Sequence, residues 1–302
     1  MKIGITGGSG FIGQALTHYF LSQGHELFVV TRKKAPHASM KEAVYVTWDP
    51  SRSLIPDHLP PLDVIINLAG ATINKRWNAG YKKEILTSRL EATKAVVNYI
   101  KINPPKVLIQ ASAIGYYGTH STLVFTEEDS VTPSDFLSKV TDAWETEANK
   151  AKEYGVRVVP IRFGLVLGNH GGALPRLILP YRFFMGGKVG SGKQWVSWIH
   201  IHDLVRLVNF VITNEGINGP VNGTSPAPVQ MKQLSQTLAK VLKKPNLFPV
   251  PEFLLKIGLG EMSDLVLKGQ HVLPKKALDN GFTFQFPEIQ GALTNLIKAT
   301  KT

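Results

Sequence analysis

Residues 4–13 read GITGGSGFIG, with Gly7, Gly10 and Gly13 three apart between a short apolar run and an amphipathic one. This spacing suits a phosphate cradle. The first glycine permits a tight turn, the second lets a pyrophosphate reach the backbone, and the third lets a helix pack on a strand. The phosphates would lie at the helix N-terminus, where unpaired N–H groups and the dipole favour negative charge. The end of the next apolar run, LFVVT, selects the dinucleotide. An NAD site usually carries Asp or Glu there for the ribose 2′-hydroxyl. This chain instead has Thr31, Arg32 and Lys33. A guanidinium holds a 2′-phosphate through two charge-assisted hydrogen bonds that lysine cannot copy, worth about 1.5–3 kcal/mol. The cofactor expected is NADP(H); an exposed basic turn is the alternative reading of Arg32.

These residues need a sheet to hold them. Runs rich in branched residues recur at 2–6, 27–31, 64–70, 107–112 and 156–164, and helical patterns fill 78–102 and 136–154. Buried strands alternating with helices predict an α/β fold, a Rossmann-type doubly wound parallel sheet covered on both faces. After about residue 168 the chain turns rich in Gly, Pro and aromatics. A strand and helix return over 196–213 and a short strand at 220–224. Residues 230–302 read as a mainly helical cap ending in short strands around GFTFQFP (281–287). The expected division is an NADP-binding domain of 1–168 plus about 196–224, and a smaller substrate-side lobe of 169–195 plus 225–302.

The 302 residues are 43% apolar and 19% charged, enough for a sizeable core. The absence of cysteine excludes disulfide scaffolds, cysteine nucleophiles and thiolate metal sites. The N-terminus shows no secretory signal, and no apolar run approaches the roughly 20 residues of a membrane span. A soluble, cytoplasmic chain without a membrane partner is expected. The net charge of +12 divides into +4 over residues 1–175 and +8 over 176–302. This excess fits an anionic small-molecule substrate. The basic residues are scattered and not interleaved with aromatics, so a solvated surface is expected in place of nucleic-acid binding.

Several stretches carry a family resemblance: NLAG (67–70), INLAGATINKRW (66–77), SRLEAT (88–93), ASAIGYYG (111–118), RFGLVLG (162–168), GSGKQWVSWIHIHDL (190–204) and LKGQHVLPKKALDNGF (267–282). The chain resembles the extended short-chain dehydrogenase/reductases, and more narrowly their atypical "epimerase family protein" branch with its own C-terminal region. The resemblance spans nearly the whole chain. It implies that Gly10, Phe11, Ile12 and Gly13 contact the pyrophosphate and that Thr31 and Arg32 flank the 2′-phosphate. Leu68, Ala69 and Gly70 would border the adenosine side, Glu84 and Arg89 would approach from the following helix, and Val166 from a strand-end turn. Plain strand packing is the alternative for Leu68 and Ala69, and a surface pair with Glu84 or Glu91 for Arg89. The family's helices often pair into homodimers, which the resemblance admits here.

Extended members use a Ser or Thr to hold the substrate oxygen, a Tyr to exchange its proton, and a Lys four residues later to hold the ribose and aid the Tyr. Counting back from Tyr117–Gly118, the Ser/Thr place falls on Ala113. Ser112, one residue earlier, would point to the opposite face of its strand. Aligning Ser138–Lys139 puts Asp135 at the Tyr place, while Lys139 is kept. The candidate catalytic residues are therefore Tyr116 and Tyr117, just past a strand end, with Ser112 and Lys139; packing of both tyrosines under the cap and a solvated Lys139 are the alternative readings. The leading expectation is an NADP(H)-dependent oxidoreductase or nucleotide-sugar-epimerase-like enzyme exchanging hydride with a carbonyl or carbinol carbon. The rival is a catalytically inactive NADP(H)-binding sensor or regulatory protein.

Three further patterns invite other readings. GKVGSGKQ (187–194) approaches a triphosphatase phosphate loop, but Gln194 replaces the magnesium-binding hydroxyl and a strand pattern follows; the family resemblance implies a hairpin beside the site instead. His200, His202 and Asp203 could hold a metal; a structural strand–helix junction is the favoured reading, with no metal. Lys75, Arg76 and Trp77 follow the NLAG strand, where a cation pair beside an indole could receive an acidic or phosphorylated substrate; a solvated loop is the alternative reading.

Overall fold

The computed structural model describes residues 1–31, 40, 42–48 and 59–298. The chain opens with β1 (Lys2–Thr6), α1 (Phe11–Ser22), β2 (Glu26–Thr31), β3 (Val44–Thr47) and β4 (Val64–Asn67). Then come α2 (Ala79–Ile102), β5 (Val107–Ala113), a 3-10 turn at Ile114–Tyr117, β6 (Val124–Phe125) and α3 (Phe136–Asn149). β7 (Arg157–Phe163), β8 (Leu165–Leu167), α4 (Leu174–Arg182), β9 (Trp195–Val196), β10 (Trp198–His200), α5 (Ile201–Thr213) and β11 (Val221–Gly223) follow. The C-terminal part holds β12 (Val229–Gln230), α6 (Met231–Leu242), α7 (Glu252–Leu259), α8 (Asp264–Leu267), β13 (His271–Val272), α9 (Lys275–Asp279) and α10 (Ile289–Lys298).

Seven strands form one sheet in the order β11-β7-β5-β4-β1-β2-β3, every pair parallel. This is the expected Rossmann-type fold. The near-continuous apolar strands follow from burial on both faces. Ile3, Ile5, Ile66 and Ile109 pack with Leu16, Phe20, Leu204 and Val208 of α1 and α5. The alternating residues Ile65 and Leu108 pack with Val96, Ile100 and Ala148 of α2 and α3. Each such side chain stabilises by about 1.5–3 kcal/mol. The strand order reverses between β1 and β4, so a crevice opens at their carboxyl ends, where ligands of such sheets bind.

Three expectations change. β3 is an additional short strand of mixed polarity at the sheet edge, too brief for a clear pattern. Residues 281–287 form no strand, because the buried Asp203 carboxylate takes their donors: Gln285 N at 2.9 Å and Phe286 N at 2.8 Å. Residues 187–194 form no hairpin either. Val189 bridges Val250 in parallel, and the Gly190 amide donates to Val250 O at 2.9 Å. Among the described residues, no helix is long and apolar enough to cross a membrane.

Candidate functional site

The crevice has a fixed polar floor. Thr6 Oγ1 donates to Asn67 Oδ1 at 2.6 Å, and Asn67 Nδ2 donates to Thr93 Oγ1 and Gln110 Oε1 at 3.0 and 2.9 Å. Trp144 Nε1 also donates to Thr93, so the floor joins β1, β4 and β5 to α2 and α3. Buried polar groups satisfied in this way fix one arrangement of the strand ends.

The glycine loop lies above this floor. Gly7 has φ +69, and a methyl there would come 2.8 Å from Leu68 O, so only glycine fits without strain. A methyl on Gly13 would lie 2.5 Å from Gly8 Cα, the close helix–turn packing the spacing predicts. Gly10 is exposed and begins α1 with no side-chain cap. The first intrahelical bond runs from Gln14 N to Gly10 O at 2.8 Å, leaving the amides of Phe11, Ile12 and Gly13 before it. No acidic residue stands in this first turn. A phosphate fits such a helix end.

The Phe11 side chain turns away from that opening. Methyls on Gly168, Gly171 or Gly172 would each come within 2.5–2.8 Å of its ring, so the ring fills a glycine-lined socket beyond β8. Val166 lies in β8 beside the same socket, its carbonyl 2.7 Å from a methyl placed on Gly172. Leu68, Ala69 and Gly70 leave β4 half-buried to exposed on the opposite wall. Thr31 is buried at the end of β2, its carbonyl accepting from Trp48 N at 2.8 Å. Arg32 and Lys33 lie outside the described residues.

Arg89 rises from α2 beneath Gly70. It makes no pair with Glu84 or Glu91, contrary to the surface alternative: Nη1 donates to Ala71 O and Ile85 O at 3.1 and 2.9 Å, and the guanidinium lies 4.9 Å from the Trp144 ring centroid. Burial lowers its pKa to about 10, and no carboxylate pairs with it among the described residues. Glu84 is exposed on the same helix.

At the end of β5, Ala113 is half-buried and Ser112 faces the other way. Ser112 Oγ donates to Glu145 Oε1 at 2.6 Å. Glu145 is gripped by Arg162 through Nε at 2.8 Å and Nη2 at 2.9 Å. The third arm of that guanidinium, Nη1, donates to the Tyr117 hydroxyl at 2.9 Å, which donates to Asn222 Oδ1 at 2.9 Å. Burial pushes the Tyr117 pKa up to about 12, against the pull of Arg162. Ser112 and Tyr117 are thus committed to a buried network. Tyr116 is different: it is half-buried, and its hydroxyl has no protein partner among the described residues. Glu145 and Arg162 lie outside the expected site set; the signal for Arg162 is a single arginine inside the apolar run VVPIRF.

Asp135, at the place of the family tyrosine, is the N-cap of α3. Its carboxylate accepts from Ser138 N at 2.8 Å, while Ser138 Oγ accepts from Asp135 N at 3.0 Å. Lys139 is exposed on the next turn. Trp77 does not receive ligands as an exposed indole. It is buried against Phe136 and donates Nε1 to Ile73 O at 3.0 Å. His200 and Asp203 are structural: His200 Nδ1 accepts from His202 N at 3.0 Å, leaving Nε2 to meet Asn295 Oδ1 at 3.2 Å.

Residues 3–222 match the NAD dependent epimerase/dehydratase family, and residues 250–296 match a domain of unknown function, DUF1731. Epimerase family protein YfhF of Bacillus subtilis is 45% identical over 304 residues, covering 100% of both chains. The crystal structure of human epimerase family protein SDR39U1 (isoform 2) with NADPH is 33% identical, with a TM-score of 0.89 over 99% of each chain. A nucleoside-diphosphate sugar epimerase from Corynebacterium glutamicum is 30% identical with a TM-score of 0.79, covering 98% of this chain and 58% of that one. With its parallel sheet, glycine cradle and match over most of its length, this chain belongs to the NAD dependent epimerase/dehydratase family.

Proposed function

We propose that the chain is an NADP(H)-dependent oxidoreductase or nucleotide-sugar-epimerase-like enzyme. It would exchange hydride with a carbonyl or carbinol carbon of an anionic small molecule. The observation that carries this reading is a bare, acid-free α1 N-terminus together with Arg89, a half-buried cation beneath Gly70 that pairs with no carboxylate among the described residues. Phosphates of a dinucleotide complement both. The 33% identical human protein solved with NADPH and the basic pair Arg32 and Lys33 support the phosphorylated cofactor.

When bound, the nicotinamide supplies the carbon that carries hydride. The chain's own residues do the rest. The Phe11, Ile12 and Gly13 amides hold the pyrophosphate beside Gly10, Thr31 and Arg32 flank the 2′-phosphate, and Leu68–Gly70 border the adenosine side. Tyr116 holds the exchangeable proton at the substrate oxygen, its ring fixed against Arg162, and Lys139 reaches the ribose. Ser112 and Tyr117 serve the frame through Glu145 and Arg162.

A second reading, an inactive NADP(H) sensor, is favoured by Ala113 and Asp135 standing where the family keeps hydroxyls. The two separate by following NADPH absorbance over a panel of carbonyl compounds, including nucleotide sugars. The enzyme reading expects turnover that Tyr116→Phe lowers by about 10²–10⁴ with NADPH affinity unchanged. Turnover equal in Tyr116→Phe, or none with any compound, contradicts it.

A further inference from the structure

One face of the C-terminal part carries charge of a single sign. Segments 174–202 and 224–251 hold eight Lys and Arg and no Asp or Glu. They pack side by side: Phe248 N donates to Gly186 O at 3.0 Å, Val250 N to Lys188 O at 2.9 Å, and Lys232 N to Gly192 O at 2.9 Å. The same face exposes large apolar side chains. Phe183 is 65% exposed, Leu247 73% and Phe248 56%. Lys244 Nζ stands 3.6 Å from the centroid of Phe184. Lys188 and Lys232, neither paired with a carboxylate among the described residues, line a groove of about 290 Å³ beside Leu247 and Pro249.

α7 follows directly. None of its eight residues is buried. Phe253, Leu254 and Ile257, at positions i, i+1 and i+4, share one side of the helix and are all at least half exposed. Its one acid, Glu252, is neutralised by Lys256 at 2.8 Å.

We propose that this face docks on an anionic lipid bilayer. The lysines would meet headgroup phosphates while Leu247, Phe248 and the apolar side of α7 enter the headgroup–acyl boundary, as in surface-lying amphipathic segments. Charge decides against a second copy, which would set the same cations face to face. Stacked bases fit less well, because single-strand binding uses open aromatic faces. Here Lys244 covers Phe184, and the exposed group is half aliphatic. The expectation of no membrane partner rests on the lack of a spanning run; a surface foot needs none.

The test is flotation of the full chain with vesicles of phosphatidylcholine, alone or with roughly a third phosphatidylglycerol. Binding is expected to be at least about tenfold stronger to the anionic vesicles and to weaken with salt. Lys188→Glu with Lys232→Glu, and separately Phe253→Ser with Ile257→Ser, should each lose about tenfold or more with thermal midpoints unchanged. No preference for anionic vesicles, or wild-type binding by both variants, overturns the proposal. So does tighter retention on oligothymidylate than on vesicles, or a dimer that Phe253→Ser with Ile257→Ser dissociates.

Discussion

Arg162 lies over the Tyr116 ring, its Cζ 3.4 Å from the ring centroid, while its Nη1 donates to the hydroxyl of the next residue. One guanidinium thus gives two adjacent tyrosines opposite fates. Tyr116 is clamped by its ring and keeps its hydroxyl unspent. Tyr117 gives its hydroxyl to the frame.

The two should separate in stability measurements. Tyr117→Phe leaves Arg162 Nη1 and Asn222 Oδ1 short of a partner in a buried setting, a loss of about 1–3 kcal/mol in urea unfolding. Tyr116→Phe removes no protein hydrogen bond and should stay within about 0.5 kcal/mol of wild type. Equal losses would show that the Tyr116 hydroxyl is also part of the frame.

Glu145 is the hub of that frame, accepting from Ser112 and twice from Arg162. Glu145→Ala strands a buried guanidinium and should cost about 3–5 kcal/mol. Glu145→Leu combined with Arg162→Met should recover part of the loss, because burying two ions is itself unfavourable. Thermal midpoints of the single and double variants check this; a double variant as weak as the sum of the singles would contradict it.

Arg89 should show the reverse pattern. It is half-buried with no paired carboxylate among the described residues, so Arg89→Met should change the stability of the free protein by less than about 1 kcal/mol. NADPH affinity should nevertheless fall about tenfold or more with the lost charged contact. A large loss of stability with unchanged affinity would make Arg89 a strut for the 68–71 turn.

His200 makes the C-terminal attachment acid-sensitive. Burial lowers its pKa from 6.5 to about 4, so the folded state prefers the neutral ring. The unfolded chain therefore takes up a proton first as pH falls. The contribution is present above about 6.5 and is lost on the way down to about 4. After allowance for solvent screening it amounts to about 1–3 kcal/mol. His200→Asn can keep the cap on His202 N and cannot protonate. Its thermal midpoint should fall less steeply than wild type over that window; parallel curves would place the acid sensitivity elsewhere.

Much of the parallel sheet is legible in the sequence because both faces of each strand are buried, which makes LFVV, VII and VLI unbroken apolar runs. The glycine cradle is legible because the closeness of Gly13 to Gly8 and of Gly7 to Leu68 leaves no room for a side chain. What the sequence hides depends on contacts far apart in the chain. GFTFQFP alternates like a strand, yet Asp203, about 80 residues earlier, takes its amides. Trp77 looks like a rim residue until Phe136 covers it. Ser112 and Tyr117 look like chemistry until Arg162 joins them to Glu145 and Asn222. Asp135 reads as a failed tyrosine, and the structure shows its present role as the cap of α3.

Whether the cradle selects the phosphorylated dinucleotide is decided by a thermal-shift titration with NADPH and NADH on wild type and Arg32→Ala. A ligand that binds only the native state raises its midpoint by mass action, so the shift reports affinity. A larger rise with NADPH than with NADH is expected, and loss of that difference in Arg32→Ala. If neither dinucleotide moves the wild-type midpoint, or both move it equally, the cradle does not select NADP(H) and the proposed cofactor is overturned.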